Sequence, residues 1–435
     1  MQIAMVGTGY VGLVSGACFS EFGFNVTCVD KNEKKVLQLK SNQIPIYEPG
    51  LEALVKRNQS SGRLSFTTNL KNAVSKSDVV FIAVGTPTRR GDGHADLSYV
   101  FDAAKEIGEA VSGYTVIVTK STVPVGTGRK VFDIIKQTRP EVNFDVASNP
   151  EFLREGSAIN DFMHPDRVVV GTTGVKAREV LEKVYKPLYL IETPIQFTDL
   201  ETAELIKYAA NAFLAVKVSY INQIADLCEK VGADVHEIAK GMGLDKRIGS
   251  KFLHPGPGFG GSCFPKDTLA LVKTTQQFAS RISIVEEVIR YNQERKISMA
   301  KRIISQLSDG ISGKKVSILG LSFKPETDDI RDSPALDIIP ILLSKGANIE
   351  AYDPAAMAEA KSLLGDKIVF SKDLETCIKE ADICVIVTEW NEFRAISGVK
   401  FSKLMAGNVV VDLRNIYSPQ EMRAAGLNYS SIGRT

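Results

Sequence analysis

The chain opens on an apolar run, Gln2-Ile3-Ala4-Met5-Val6, which breaks at Gly7-Thr8-Gly9-Tyr10-Val11-Gly12 and resumes with helical spacing as far as Phe22. A second short run, NVTCVD, ends on Asp30. Brief apolar runs bounded by turn residues predict buried strands, so this segment reads as strand, glycine turn, helix and strand. Further strands are predicted within DVVFIAVGTP (78–87), YTVIVTKSTVP (114–124) and FDVASNP (144–150), with helical patterns between them, as a parallel α/β sheet requires. Residues 199–231 are helical in period and free of Gly and Pro, with Asp199 placed as a cap and Gly232 as a stop. At ~1.5 Å per residue such a helix reaches about 45–50 Å, more than one small domain needs. It reads as a spine between two domains and a candidate contact between subunits.

After the polar stretch SDGISGKK (308–315) the pattern starts again: VSILGLSF, a helix over 334–345, NIEAYDP and ADICVIVTEW repeat the order of the first unit. GLSFKPETDD replaces the glycine fingerprint, so a second dinucleotide is not expected there, while a related ligand at the carboxyl ends of the strands is. The predicted class is α/β: two Rossmann-like domains joined by a long central helix and a helical dimerisation region. The predicted boundaries are 1–198, 199–307 and 308–435.

Composition narrows the partners. The 53 basic and 51 acidic residues nearly cancel, so no overall field favours nucleic acid or a membrane surface, and small molecules or further copies of the chain are expected. The apolar start lacks a basic leader and no apolar run has membrane-spanning length, which predicts a cytoplasmic protein. Six scattered cysteines without a CxxC pair read as thiols, and four scattered histidines give no ligand spacing for a metal.

Several residues carry candidate chemistry. The glycines of the first turn let backbone approach a pyrophosphate at a helix start, and Asp30, eighteen residues after Gly12, is placed to accept from a ribose 2′-hydroxyl. This favours NAD over NADP, although Lys31, Lys34 and Lys35 offer charge for a 2′-phosphate. Cys263 stands apart from the other cysteines, which lie in apolar runs: it sits in PGPGFGGSCFPKD, just before a proline suited to a helix's first position, where N–H groups and the helix dipole stabilise a thiolate. Lys207 and Asn211 share a face of the long helix. A lysine on a mostly apolar face is commonly a snorkelling stem; the alternative is an ammonium aimed at a developing oxyanion. Glu151 and Glu155, in NPEFLREG, are either a solvated or capping pair or include a general base. A nicotinamide site, a thiolate and an oxyanion partner together suit oxidation of a thiohemiacetal to a thioester, up to the acid level.

At this combination the chain resembles the UDP-glucose/GDP-mannose dehydrogenase family over essentially its whole length, through GTGYVG (7–12), VGTP (84–87), KSTVPVGT (120–127), SNPEFLREG (148–156), ELIKYAANAFLAVKVSYINQIA (204–225), RIGSKFLHPGPGFGGSCFPKD (247–267), LGLSFKPETDDIRDSP (319–334) and VVDLRNIY (410–417). The resemblance implies an NAD-dependent, four-electron oxidation of UDP-glucose to UDP-glucuronate in a dimer. Sibling reactions on GDP-mannose or an N-acetylated UDP-sugar are the near alternatives; a two-electron β-hydroxyacid dehydrogenase and a silent nucleotide-sugar sensor are remoter ones. It implies Cys263 as nucleophile, Lys207 and Asn211 as oxyanion partners, Asp267 and Thr122 as holders of a water, and Glu151 as an aid to thioester hydrolysis. Glu151, Phe152, Leu153, Glu155, Lys207, Asn211, Phe252, Gly260, Phe323, Lys324 and Arg414 fall at sugar-nucleotide positions, and Arg247 at one that reaches the sugar from a neighbouring subunit. Gly85, Thr86, Thr122, Lys35, Glu155 and Arg331 join the fingerprint at cofactor positions, and His254 stands where some relatives carry lysine.

Overall fold

The apolar runs form two sheets in a computed structural model that describes residues 1–89 and 93–434. The first holds β1 (Gln2–Val6), β2 (Asn25–Val29), β3 (Leu64–Thr67), β4 (Val79–Ile82), β5 (Thr115–Thr119), β6 (Phe144–Ser148), β7 (Val168–Gly171) and β8 (Ile195–Thr198), in the order β3-β2-β1-β4-β5-β6-β7-β8. Where the sequence predicts a wholly parallel sheet, β6 and β7 meet antiparallel at Ser148 and Gly171. The reason lies in their connection: its only helix, Ala158–Met163, has six residues and rises ~9 Å, too little to carry the chain back alongside β6 as a crossover helix would.

The second sheet holds β9 (Lys315–Leu319), β10 (Asn348–Tyr352), β11 (Val369–Phe370), β12 (Ile383–Ile386), β13 (Val409–Asp412) and β14 (Asn428–Ser431), in the order β11-β10-β9-β12-β13-β14, parallel throughout. Its six strands repeat the order of the first six in the first sheet. Both are doubly wound, and each leaves a crevice where the order reverses, between β1 and β4 and between β9 and β12. The internal repeat read from the sequence is thus a repeat of topology.

Central strands such as VVFI, TVIVT, ICVI and VVVD are buried at every position, as strands covered by helices on both faces must be. Phe19 of the helix Tyr10–Glu21 stacks on Phe81 of β4 with centroids 4.9 Å apart, fixing that helix on the sheet. The helix Leu200–Val231 is capped by Asp199, whose Oδ1 accepts from the Thr202 N–H at 2.7 Å, and it stops at Gly232, where φ is +74°. The chain packs as two compact units, residues 1–210 with 273–279, and residues 211–272 with those from 280 onward. Among the described residues no helix is long and apolar enough to cross a membrane.

Candidate active site

The first crevice is shaped by the glycine turn. A Cβ at Gly12 would lie 2.0 Å from the Gly7 carbonyl oxygen, so only glycine lets the helix start this close to β1. That helix has Gly9 at its N-cap with no side-chain cap, and a Cβ at Gly9 would meet nothing within 4 Å. The result is an open cradle at a positively polarised helix start, suited to a pyrophosphate. At the end of β2, the Asp30 carboxylate accepts from the Thr8 N–H at 3.1 Å and the Thr8 hydroxyl at 2.5 Å, with the Lys35 ammonium 3.6 Å away. Burial pulls its proton affinity up, but the Thr8 hydroxyl, the Asn32 and Thr8 N–H groups and Lys35 outweigh that, holding the carboxyl below its ordinary range. Asp30 is therefore a charged acceptor for a ribose hydroxyl and repels a 2′-phosphate. Lys31 is turned to Glu106 at 2.5 Å. These residues fit NAD. The Thr86 hydroxyl donates to the Thr122 carbonyl at 3.0 Å, joining the segment of exposed Gly85 and half-buried Thr86 to the Thr122 loop.

The same unit assembles a polar group around Lys207. Its ammonium lies 3.2 Å from Glu151 Oε1, and both residues are more than nine-tenths buried, so this lysine does not snorkel. Glu151 is held by the Leu153 N–H at 2.5 Å, and the Lys207 ammonium lies 5.2 Å from the centre of the Phe152 ring. Thr122 and Lys207 line one small pocket with Thr119, Ser121, Val123, Ser148, Pro150 and Glu204. Leu153 and Glu155 are half-buried beside them in sequence.

Sequence reasoning passed over Lys120 here. Its ammonium is buried and donates to Asn149 Oδ1 at 3.0 Å and to the Tyr185 hydroxyl at 3.4 Å. Burial lowers its pKa, Glu151 raises it and Lys207 lowers it again, leaving it pulled down to about 8. Lys207 and Lys120 thus gather two buried ammonium groups around Glu151, and in a low-dielectric site either one favours a negative oxygen placed beside it. The signal was present, since Lys120 opens KSTVPVGT, but an isolated lysine after a strand carries no periodicity.

In the second unit Cys263 immediately precedes the helix Phe264–Gln277, and its carbonyl accepts the first helical bond, from the Asp267 N–H, at 2.8 Å. The expected position of the proline shifts by one: Phe264 takes the first helical position and Pro265 the second. All six cysteines are thiols; Cys263 is partly exposed and the other five are buried. Buried Asp267 accepts from Asn211 Nδ2 at 2.7 Å and from the Lys266 ammonium at 2.7 Å. The loop before Cys263 is pressed close to neighbouring backbone, because a Cβ at Gly260 would stand 2.3 Å from the Asp332 carbonyl oxygen. Arg414 donates to the Phe323 carbonyl at 2.9 Å and pairs with Glu389 at 3.1 Å, and the Lys324 ammonium lies 5.7 Å from the centre of the Phe323 ring. Phe252 holds a strained φ of +64°, its ring 6.0 Å from that of Phe264. Arg247 is almost fully exposed and braced by Asp245 at 2.6 Å, His254 is exposed, and Arg331 pairs with Asp329 at 2.8 Å. The expected residues thus gather in two groups: Thr122, Glu151 and Lys207 in the first unit, Asn211, Cys263 and Asp267 in the second.

Profiles of one family match three successive segments: the NAD binding domain of the UDP-glucose/GDP-mannose dehydrogenase family at residues 1–189, its central domain at 201–294 and its UDP binding domain at 317–419. The chain belongs to the UDP-glucose/GDP-mannose dehydrogenase family. It is 56% identical over 436 residues to the UDP-glucose 6-dehydrogenase of Rhizobium meliloti, all of both chains being covered. It is 49% identical to the UDP-glucose 6-dehydrogenase TuaD of Bacillus subtilis, covering all of this chain and 93% of that one. Among solved structures, a UDP-glucose dehydrogenase from Pyrobaculum islandicum superposes with a TM-score of 0.92 at 38% identity, covering all of this chain and 98% of the other. As a member of this family the chain uses NAD, which fits the cradle around Asp30.

The family's UDP binding domain shows why its doubly wound sheet does not repeat the dinucleotide cradle. Gly320 donates to the Tyr352 carbonyl at 2.9 Å, as Gly7 does to Val29 at 2.8 Å. Asp353, the counterpart of Asp30, is fully buried: its Oδ2 accepts from the Leu321 and Ser322 N–H groups, the Ser322 hydroxyl and the Trp390 indole at 2.8–3.2 Å. The acid that would read a ribose is consumed inside the fold, and no helix begins until Pro334, fourteen residues past Gly320.

Proposed function

We propose that the chain oxidises UDP-glucose to UDP-glucuronate in two NAD-dependent steps, with Cys263 holding the carbon between them. The observation that carries this reading is the position of Cys263, a partly exposed thiol at the start of a helix behind a glycine loop, in a chain whose other thiols are interior. NAD, when bound, accepts the hydride in each oxidation. The C6 alcohol gives up a proton and a hydride to become an aldehyde; Cys263 Sγ adds to it, forming a C–S bond and an alkoxide that Lys207 and Asn211 stabilise. Loss of the second hydride leaves a thioester. A water held by Thr122 and Asp267, with Glu151 assisting, adds to that carbon, the C–S bond breaks, and the thiolate and the carboxylate depart. A covalent aldehyde does not escape between steps.

In this reading residues 1–198 hold NAD, with Gly7, Gly9, Tyr10, Val11, Gly12, Asp30, Lys35, Gly85, Thr86 and Glu155, aided by Arg331; residues 199–307 carry the Cys263 loop and subunit contacts; and residues 308–435 hold the UDP-sugar. Phe152, Leu153, Phe252, Gly260, Phe323, Lys324 and Arg414 contact the sugar nucleotide. The assay that tests the reaction measures NADH formed per mole of sugar nucleotide. Two per UDP-glucose, with little from GDP-mannose or UDP-N-acetylglucosamine, is expected; one per substrate would indicate a two-electron dehydrogenase, and binding without NADH a sensor.

We also propose that the chain works in the cytoplasm as a homodimer. On the helix Leu200–Val231, Phe213, Tyr220 and Leu227 recur every seven residues and are each about half exposed or more. Such a stripe is the seam along which a second copy packs, with Arg247 reaching the partner's site. Light scattering should give twice the mass of one chain, and Phe213→Lys with Leu227→Lys should halve it; a monomeric parent would overturn this.

A further inference from the structure

Glu204 lies one turn ahead of Lys207 on the helix Leu200–Val231, is 2% exposed, and has no place in the chemistry above. Its Oε2 accepts from the Gly126 N–H at 2.7 Å, and its Oε1 from the Gly128 N–H at 2.7 Å and the Ser148 hydroxyl at 3.2 Å. Gly126 is the N-cap of the twelve-residue helix Thr127–Thr138, which has no side-chain cap of its own. A carboxylate brought from a distant helix therefore caps this one, where charge and dipole attract. The loop so held runs directly from Thr122, and Glu204, Thr122 and Lys207 line the same pocket.

We propose that Glu204 is a positioning residue, whose carboxylate straps residues 123–128 to the helix bearing Lys207 and so keeps Thr122 and Lys207 in working register. The proposal rests on the roles given above to Lys207 and Thr122. An ionised carboxylate offers both oxygens to the two N–H groups; a protonated one turns one oxygen into a donor that faces donors, and one strap is lost. Within the closed site the ionised form holds both N–H groups; burial nevertheless raises the Glu204 pKa from 4.5, against the lowering by the Gly128 and Gly126 N–H groups and Ser148, to about 7, so exposing this carboxyl to water becomes easier as pH rises through neutrality. The charged groups around it are Glu201 and Lys207 on its own helix, Arg129 on the capped helix, and Glu151 beside Lys207.

Glu204→Gln keeps the shape but fixes the neutral form. Its kcat is expected to lie about tenfold below the parent at pH 8.5 and to approach it below pH 6, so that the acid limb expected in the parent near pH 7 flattens, with KM for NAD unchanged. Ser148→Ala removes only the hydroxyl that favours the ionised form, and should move the acid limb to higher pH. Hydrogen exchange in the Gly126–Gly128 segment should be faster at pH 8.5 than at pH 6 in the parent, after correction for intrinsic rates, because the ionised carboxylate gains most from reaching water, and it should be the same at both in Glu204→Gln. An acid limb unmoved in both variants, or exchange that ignores both pH and substitution, overturns the proposal. The exchange readout needs no catalysis, so it separates failure of the strap from failure of the roles assigned to Lys207 and Thr122. Should Glu204→Gln not fold, Ser148→Ala decides alone.

Discussion

Cys263→Ser is expected to lose formation of the acid by about a thousandfold or more, the scale on which removal of a covalent nucleophile acts. Serine keeps the size of the side chain and its place before the helix Phe264–Gln277, but its hydroxyl is not ionised near neutral pH and the helix start has no thiolate to stabilise. The first oxidation remains chemically possible without the thiol; the second, which needs a tetrahedral alkoxide on a captured carbon, does not. The variant should therefore release at most one NADH per UDP-glucose, and rapid quenching with mass spectrometry of the intact chain should find an acyl adduct on the parent only. Full turnover to the acid in Cys263→Ser would remove the nucleophile assignment.

Lys207→Met should lower kcat by about a hundred- to a thousandfold with little change in KM for UDP-glucose, because the lost charge matters most where an oxyanion forms. The geometry predicts a second, separable effect. Lys207 is 3.2 Å from buried Glu151, so methionine strands a carboxylate away from water, at a cost of ~3–5 kcal/mol if it stays charged. Lys207→Met with Glu151→Gln should recover most of the denaturation midpoint and none of the kcat, whereas a purely structural lysine would recover both. Urea titration beside steady-state kinetics on the three proteins makes the distinction.

These tests lean on features legible to different degrees in the sequence. The strand, glycine turn, helix and Asp30 were readable because each is local: an apolar run, glycines at fixed spacing and an acid at the next strand end. The helix Leu200–Val231 was readable because no Gly or Pro interrupts its period, and Cys263 because a polar, glycine-rich setting is unusual for that residue. Short strands such as Leu64–Thr67 and Ile195–Thr198 were missed, since four residues leave too little pattern. The antiparallel turn-back at β7 was hidden because it depends on how far a loop can travel. Glu204 was invisible for a different reason: two of its partners are backbone N–H groups seventy-six and seventy-eight residues away, which leave no side-chain signature in the sequence. Lys120, Asn149 and Tyr185 likewise meet only through the sheet, each carried by a different element. Chemistry that needs a particular side chain in a particular turn can be read ahead of the fold; chemistry assembled by long-range backbone contacts cannot.

The distribution of sulfur has a consequence for how this enzyme ages. Five of its six thiols are interior and only that of Cys263 reaches solvent, so peroxide and electrophiles meet one sulfur first. If Cys263 is the nucleophile proposed above, oxidative damage silences the catalyst while leaving its core intact: a stock then loses its turnover without losing its fold, and a reducing agent added early preserves what no refolding step could restore once the sulfur has passed to a sulfonic acid.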